Sequence, residues 1–299
     1  MMDPVLEFKS VSRSYGSNVV LNGIDIAIHP GEVAGLIGRN GAGKTTLLKI
    51  GMGMLYPHSG SVRTFGMSPT DEPVAVKKRI GYVAEDQVLP TGSSIADLIE
   101  FHRYLFPQWD GALERQLIER FALDARRKIK DLSKGQAREV ALLCAVCHRP
   151  ELLILDEPAG GLDPATRREF LETSIHLLNQ EGTAILFSSH HMGDVERIGG
   201  RVILLDHGKV LLDRDLTTLR EEICVAMIPR SASVPEAARM EQIPGCLRVR
   251  PVFDDWHVVM EGSPESVQRK VSMALGVDDV RCVPMPLEEL FIELTGSER

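Results

Sequence analysis

Residues 33–45 read VAGLIGRNGAGKT, an apolar run from Val33 to Ile37 that leads into a glycine-rich loop. The segment from Lys44 to about Leu55 has the pattern of a helix, so the chain predicts a strand, a loop and a helix in that order. Gly38 to Thr45 fits G-x-x-x-x-G-K-[ST], whose glycines let backbone N–H groups surround phosphate oxygens. A chance glycine-rich turn would not need the flanking strand and helix. This stretch therefore predicts a phosphate-binding loop within an α/β domain.

The loop residues have separate expected roles. We expect Lys44 to neutralise the β- and γ-phosphates of a nucleotide, and the Thr45 hydroxyl to complete the coordination shell of Mg²⁺. The helix that begins at Lys44 directs the positive end of its dipole at the same phosphates. The residues of this loop expected to contact the nucleotide are Gly38, Asn40, Gly41, Ala42, Gly43, Lys44, Thr45 and Thr46.

A second motif, LLILDE at residues 152–157, is a short apolar strand that ends in two acids. Ligands of open α/β sheets bind at the carboxyl ends of the strands, so both acids are expected beside the phosphate loop. Asp156 can hold Mg²⁺ through water. Glu157 lies one residue further along and can face the opposite way, which makes it the expected general base for an attacking water.

Strand and helix patterns alternate along most of the chain. Residues 94–106 have apolar side chains at helical spacing, and Ser94 is a suitable N-cap. Further helices are predicted over 111–122, over 133–148 and within 190–199, and further buried strands over 184–189 and 201–206. This alternation predicts an α/β domain with a largely parallel sheet.

After about residue 216 the pattern becomes that of a smaller α+β domain. The order β-α-β-β-α-β matches the ferredoxin-like arrangement, followed by one more helix. Asp254 and Asp255 are the expected turn of its central hairpin. The predicted strands are 223–228, 246–253, 256–261 and 278–283, and the predicted helices are 234–241, 264–275 and 287–295.

Composition excludes several other classes of protein. The formal net charge is -8 and no run of Lys or Arg forms a basic stripe, so nucleic acid is not the expected ligand. The chain contains no apolar stretch long enough to span a bilayer, and the segment MMDPVLEFKS lacks the pattern of a secretion signal. We therefore expect a cytoplasmic protein.

The 5 cysteines are scattered and odd in number, which favours reduced thiols. Cys144 and Cys147 form a C-x-x-C, a spacing that can bind metal or carry redox chemistry. Their surroundings, ALLCAVC, are apolar and lack a second cysteine pair. Two small residues buried in a helix are the favoured interpretation.

Further motifs make a family resemblance specific. LSKGQ at 132–136 lies just before a helix and resembles the LSGGQ signature of ABC (ATP-binding cassette) ATPases. Gly161-Leu162-Asp163 resembles the D-loop of that family, and Ser188-Ser189-His190 resembles its switch-histidine segment. Tyr15 lies where the family has an aromatic residue that stacks on adenine. The resemblance covers roughly residues 5–215, with the motifs in the family's order.

The resemblance implies an α/β P-loop cassette, here residues 1–215, with a helical subdomain at about 87–150 and an accessory domain at 216–299. In that family two ATPase subunits meet head to tail with ATP and Mg²⁺ between them, so the partner is a second copy or a similar ATPase. Ser133, Gly135 and Gln136 of one chain, with Asp163, would then face the nucleotide of the other. His190 would contact the γ-phosphate, whereas a metal site at His190 and His191 is disfavoured without another ligand.

Two positions depart from the family pattern. Glu85 follows the predicted strand IGYV where the family usually has Gln. A carboxylate can still bind Mg²⁺, yet it adds negative charge and cannot donate a hydrogen bond. Lys134 replaces a signature glycine and adds positive charge near the partner's nucleotide. Our hypothesis is that the two changes partly offset each other across the composite site; the alternative is that Lys134 simply faces solvent.

In the resembled family a separate membrane permease docks beside the helical subdomain, so we expect this chain at the inner face of the membrane. The candidate contacts are Phe101, Tyr104, Phe106 and Trp109. The tail PLEELFIELTG at 286–296 resembles that of ATPases of drug and lipid exporters. The segments LSKG and FPQWD point to the same group of ATPases. Its helix could pack on its own domain or assist dimerisation. One alternative is a non-transport ABC ATPase that acts in translation, DNA repair or chromosome structure. Another is a regulatory module that binds ATP without turnover.

Overall fold

The computed structural model describes residues 3–162, 167–168, 170–172, 175, 182–230, 237–277 and 280–295. The chain divides into two units, Met1–Asp213 and Arg214–Arg299. In the described residues the first unit has the strands β1 (Leu6–Tyr15), β2 (Asn18–Ile28), β3 (Val33–Ile37), β4 (Ser59–Thr64), β5 (Ile80–Val83), β6 (Leu152–Leu155), β7 (Ala184–Ser189), β8 (Arg201–Asp206) and β9 (Lys209–Asp215). Its helices are α1 (Lys44–Gly51), α2 (Pro73–Lys77), α3 (Ile95–Leu105), α4 (Gly111–Arg120), α5 (Lys134–Val146) and α6 (Met192–Ile198), with a 3₁₀ turn at Ile129–Asp131.

A six-stranded sheet in the order β5-β6-β7-β3-β8-β9 forms the centre of the first unit. Strands β5, β6, β7, β3 and β8 pair in parallel. All four residues of β6 and all six of β7 are buried, as expected for a parallel sheet covered on both faces. Ile37 pairs with Ser189, and Leu155 pairs with Phe187. This register brings the carboxyl ends of β3, β6 and β7 to one edge of the sheet.

A three-stranded antiparallel sheet, β2-β1-β4, joins the same hydrophobic core. Its alternating pattern buries one face: Leu6 and Phe8 of β1 and Ile28 of β2 are at most 2% exposed. Helix α1 contributes Leu48 to this core. Helix α1 thus packs in a core that both sheets share.

Helices α3, α4 and α5 form a helical region between β5 and β6. Two of them begin with a capping box: the Ser94 hydroxyl accepts from the Asp97 N–H at 3.1 Å, and Ser133 and Gln136 cap α5 in the same way. Asp110 caps α4 by accepting from the N–H groups of Ala112 and Leu113. These caps satisfy N–H groups that have no partner within their own helix.

The second unit has the strands β10 (Ile223–Pro229), β11 (Cys246–Val252), β12 (Asp255–Glu261) and β13 (Arg281–Pro284), and the helices α7 (Leu216–Glu222), α8 (Ala237–Met240), α9 (Pro264–Leu275) and α10 (Leu287–Thr295). Its sheet order is β11-β12-β10-β13, and every pairing is antiparallel. With β10, α8, β11, β12, α9 and β13 in chain order, this is the ferredoxin-like arrangement. The tail helix α10 buries Leu287 and Leu290, and Glu289 accepts from Arg250 of β11 at 2.5 Å.

Some predicted boundaries were wrong. The helix expected over Lys44–Leu55 ends at Gly51, because Gly53 adopts a φ of 67° and a Cβ there would lie 2.1 Å from the Pro69 carbonyl oxygen. The helix expected over 133–148 ends at Val146. The hairpin turn lies at Phe253 and Asp254, one residue earlier than predicted, with φ of 51° at Phe253. No helix in the described part of the chain is both long and apolar enough to span a bilayer.

Ser94→Ala should lower the free energy of unfolding of the first unit by about 1 kcal/mol, because it removes the acceptor that caps α3. The measurement is urea denaturation followed by circular dichroism. Ser93→Ala is the matched control, since it changes the neighbouring serine without touching the capping box. Equal stability of the two variants would contradict this role of Ser94.

Candidate active site

The loop from Gly38 to Thr45 connects β3 to α1 as predicted, and two of its glycines are required by space. A Cβ at Gly38 would lie 2.3 Å from the Leu205 carbonyl oxygen. Gly43 caps α1 with a φ of 107°, and a Cβ there would lie 2.8 Å from the Val20 carbonyl oxygen. A side chain at either position would therefore displace backbone. The loop is shaped by its neighbours as well as by its own sequence.

Lys44 is 6% exposed and lies at the centre of the site. Its Nζ donates to the Gly38 carbonyl oxygen at 2.7 Å and lies 3.1 Å from Glu157 Oε1. Both members of this ion pair are buried, and each therefore needs the other's charge. The structure thus joins the phosphate loop directly to the acidic end of β6.

Asp156 is 1% exposed and accepts two hydrogen bonds on one oxygen. Its Oδ1 accepts from Thr45 Oγ1 at 3.1 Å and from Ser188 Oγ at 2.7 Å. Ser188 in turn accepts from the Glu157 N–H at 2.8 Å. The hydroxyl of Ser188 thereby links the two acids of the motif from the neighbouring strand β7.

Glu157 has a backbone conformation that non-glycine residues seldom adopt. Its φ is 46°, which typically costs about 1–3 kcal/mol and persists only where surrounding contacts fix it. The side chain lies between two partners: Oε1 faces Lys44, and Oε2 is 2.8 Å from His190 Nδ1. Asp156 and Glu157 therefore have different contacts, and their separate roles stay a prediction.

A pocket of about 380 Å³ opens over these residues. It is lined by Asn18, Val20, Arg39, Asn40, Gly41, Gly43, Lys44, Thr45, Thr46, Glu85 and Glu157. The side chain of Glu85 is exposed, so its carboxylate adds negative charge at the pocket's edge. Burial, followed by the charges of Asp156 and Glu85, raises the pKa of the nearby Tyr82 to about 12. The pocket lining thus combines a phosphate loop with two acids, Glu85 and Glu157, and two cations, Arg39 and Lys44.

Other predicted site residues lie outside this pocket. Tyr15 is half-exposed at the end of β1, with the Arg13 guanidinium 5.0 Å from its ring centre. Ser133 and Gly135 are at the start of α5, where Lys134 is exposed, and Gln136 uses its Oε1 to cap Ser133. Asp163, expected in the D-loop, lies outside the described residues.

Several residues that line or build the site were not among the predicted site residues, and Val20 and Arg39 of the pocket lining are two of them. Asn18 lines the pocket, Ser188 connects Asp156 to Glu157, and Arg138 of α5 donates to the carbonyl oxygen of Pro158 at 2.5 Å. Ser188 lies within the quoted switch segment, which was the available signal. Nothing in the local sequence signals the contacts of Asn18 or Arg138, because both depend on the packing of distant segments.

The Cys144–Cys147 and His190–His191 pairs were considered above as possible redox or metal sites. Cys144 and Cys147 are at most 5% exposed, and burial raises the pKa of both thiols, that of Cys144 to about 12. Protonated, buried thiols are poor nucleophiles. The rings of His190 and His191 lie 3.9 Å apart. Within the described residues, no group of three or more His, Cys, Asp or Glu could hold a metal ion.

Comparison with known proteins gives matches along the whole chain. A family profile described as ABC transporter matches residues 21–160. The Nod factor export ATP-binding protein I of Burkholderia thailandensis is 31% identical over 98% of this chain and 97% of its own length. This chain belongs to the ABC transporter family. The ABC transporter ATP-binding protein YtrB of Bacillus subtilis (strain 168) is 28% identical over 99% of both chains.

The structural comparison agrees with this family assignment. A solved ATP-binding subunit of an ABC transporter is 28% identical, with a TM-score of 0.66 over 72% of this chain and 92% of its own. The resemblance drawn from the signature LSKGQ and the predicted α/β P-loop cassette are thereby confirmed. The chain is an ATP-binding subunit of the ABC transporter family.

Ser188→Ala in this ABC subunit should lower the free energy of unfolding by about 1–3 kcal/mol, because the buried Glu157 N–H loses its acceptor. Chemical denaturation provides the measurement. Ser61→Ala, on the exposed side of β4, is the control and should change stability by less than about 0.5 kcal/mol. A Ser188 variant as stable as the control would show that the hydroxyl is dispensable.

Proposed function

We propose that this subunit binds ATP with Mg²⁺ and hydrolyses it, and that hydrolysis powers export through a separate membrane permease. The proposal rests on the contacts of Glu157 with Lys44 and His190 at one edge of the parallel sheet. Glu157 Oε1 lies 3.1 Å from Lys44 Nζ, and Glu157 Oε2 lies 2.8 Å from His190 Nδ1. The lysine can bind phosphate, and the carboxylate and the imidazole can accept a proton from water or orient it, as phosphoryl transfer to water needs.

In this mechanism the phosphate loop and Lys44 hold the nucleotide. Backbone N–H groups around Gly41 and Gly43 and the positive end of α1 favour the phosphates, and Thr46 lines the same pocket. The Lys44 ammonium is already desolvated, so its attraction to a phosphate is screened little by water. Tyr15 is proposed to stack on the adenine.

The residues present fit Mg²⁺. Thr45 Oγ1 and Asp156 Oδ1 are neighbouring oxygen donors, 3.1 Å apart, and hard oxygen ligands are what this ion prefers. Glu85 adds a third carboxylate at the edge of the pocket. When bound, the ion would neutralise charge on the phosphates. Asp156 is a buried acid beyond the two acids and two cations of the pocket lining, which is consistent with an added cation.

Glu157 is proposed as the general base. Its side chain is buried in the wall of the pocket, its Oε2 contacts His190, and its Oε1 has the Lys44 ion pair but no hydrogen bond from the described residues, so Oε1 is free to accept a proton from water. His190 is 2.8 Å from Oε2 and can orient both this carboxylate and the water beside the γ-phosphate. Ser188 fixes the backbone of the base.

We further propose that two subunits, identical or similar, complete each ATP site. Ser133 caps α5, a helix of 13 residues, and is exposed, whereas Gly135 in its first turn is partly buried; neither residue lines the pocket of the same chain. A helix N-terminus attracts anions, so this end can face the γ-phosphate bound by a second subunit. Gln136 holds the capping box, and Asp163 is proposed to contact the same interface.

The permease is proposed to contact the helical region at about 87–150, on the inner face of the membrane. Phe101 and Tyr104 of α3 are 57% and 87% exposed, which supports them as contacts. Phe106 and Trp109 are partly buried: Phe106 stacks on His148, and Trp109 donates to Glu114. Export is supported by the name of the Nod factor export relative and by the tail resemblance.

Glu157→Gln should reduce ATP turnover at least 100-fold while ATP binding is retained, because the amide cannot accept the proton of the attacking water. ATP should then drive the variant into a stable dimer, measured by size-exclusion chromatography with light scattering. The control is Glu151→Gln, an exposed acid at the other end of β6. Undiminished hydrolysis would remove Glu157 from the role of base.

Glu85→Gln and Lys134→Gly should each change ATP turnover. The turnover of the double variant should be closer to that of the wild type than the sum of the two single effects predicts, because the charges of Glu85 and Lys134 offset each other across the dimer. The coupling measured by this cycle should exceed about 0.5 kcal/mol and shrink as salt rises. Additive effects would contradict the compensation. An unchanged Lys134→Gly variant would show that this lysine simply faces solvent.

A further inference from the structure

We propose that Arg138 is a positioning residue that holds Glu157 and Glu85 in place for hydrolysis and makes their placement depend on the signature helix α5. The inference rests on the proposed function of the ATP site and concerns a residue two positions after the LSKGQ segment. Arg138 lies on α5 one turn after Lys134, with its side chain directed back at its own subunit's acidic loops.

The contacts of the Arg138 guanidinium join three segments. Its Nη1 donates to the carbonyl oxygen of Pro158 at 2.5 Å and to that of Glu157 at 3.4 Å. Its Nη2 donates to the carbonyl oxygen of Glu85 at 3.2 Å. The two acidic residues that line the pocket are thus held from behind, through their main chains, by one side chain. Their carboxylates remain directed at the pocket.

The electrostatics of Arg138 are consistent with a fixed position. Burial lowers the pKa of this guanidinium, and the negative charges of Glu85, Asp86 and Glu157 act in the opposite direction. The planar group also lies beside Gly160, where an added Cβ would be 3.8 Å from Nη2. A guanidinium can donate in several directions at once, whereas a lysine ammonium in its place would lose the forked geometry.

The backbone of Glu157 explains why such a contact matters. Its left-handed φ of 46° is unfavourable and must be maintained by surrounding bonds. Three contacts do so: Ser188 accepts from its N–H, and its carbonyl oxygen accepts from the Gly160 N–H at 3.0 Å and from Arg138. Arg138 alone among these three is carried by α5. Movement of α5 therefore changes the restraint on Glu157.

This arrangement gives the two ATP sites of a dimer a physical connection. The N-terminus of α5 is proposed to face the nucleotide of the partner, whereas Arg138, five residues after Ser133, holds the base of its own site. A ligand that shifts α5 at one site would thus strengthen or weaken the Arg138 hydrogen bonds that restrain the Glu157 backbone at the other site. The coupling is carried by a single side chain and can be tested by changing it.

The test compares Arg138→Ala and Arg138→Lys with the exposed control Arg120→Ala in the full-length protein. We expect Arg138→Ala to lower kcat at least 10-fold while the Kd for ATP changes less than about 3-fold, because the phosphate loop is untouched. Arg138→Lys should recover part of the loss, and Arg120→Ala should match wild type. An unchanged kcat for Arg138→Ala, or a Kd that rises in parallel with the loss of kcat, would overturn the proposal.

A second measurement separates positioning from general destabilisation. In a Glu157→Gln background, adding Arg138→Ala should cause a smaller further loss of turnover than it causes in the wild type, because one of the two residues it positions is already disabled. Hydrogen exchange of the Gly160 amide should accelerate in Arg138→Ala while the amides of β7 stay protected. Additive turnover effects or unchanged exchange would contradict the proposal. Failure of the wild-type protein to hydrolyse ATP would instead contradict the proposed function itself, while the exchange measurement would still decide whether Arg138 restrains this loop.

Discussion

The pairing of β6, β7 and β3 as adjacent parallel strands is the constraint on which the rest of the site depends. Parallel strands end at the same edge, so the residues that follow them meet there although they are far apart in sequence. The phosphate loop follows β3, the two acids follow β6, and His190 follows β7. A slip of one residue in this register would turn every side chain of the slipped strand to the opposite face.

Burial gives the contacts at this edge their strength and their cost. Lys44, Asp156 and Glu157 are each at most 6% exposed, and charged groups in such positions are unfavourable unless they are paired and hydrogen-bonded. The structure provides these partners from helix α1, strand β7 and the segments that follow β3 and β7, with Ser188 bonded to both acids. The groups that would perform the chemistry are therefore also groups that the fold must keep paired, which ties the stability of the first unit to its active site.

Helix α5 shows how one element can serve two regions. Its apolar residues from Val140 to Val146 are buried, its capped start is exposed, and Arg138 lies between these two parts. The buried part anchors the helix, the exposed start is available to a second subunit, and the arginine reaches the loops after β5 and β6. An element with this division is suited to transmit a change at its exposed end to Glu157, the proposed base.

The sequence by itself determined most of the fold and the central residues of the site. Motifs such as GRNGAGKT and LLILDE carry their own physical requirements, so Lys44, Asp156 and Glu157 could be identified before their geometry was known. The β-α-β-β-α-β order of the second unit was likewise predicted from hydrophobic periodicity, although the hairpin turn was misplaced by one residue. Periodicity locates elements well and their ends poorly, because helix and strand ends depend on neighbours such as Pro69 beside Gly53.

Only the tertiary structure decided which groups touch. The Lys44–Glu157 pair, the linking role of Ser188 and the reach of Arg138 to Glu85 and Pro158 join residues separated by between 20 and 113 positions. No local pattern specifies such contacts, since they arise from strand order and from how α5 packs against the sheet. The left-handed backbone at Glu157 is likewise a tertiary result: its own sequence disfavours that conformation, and bonds from distant segments maintain it.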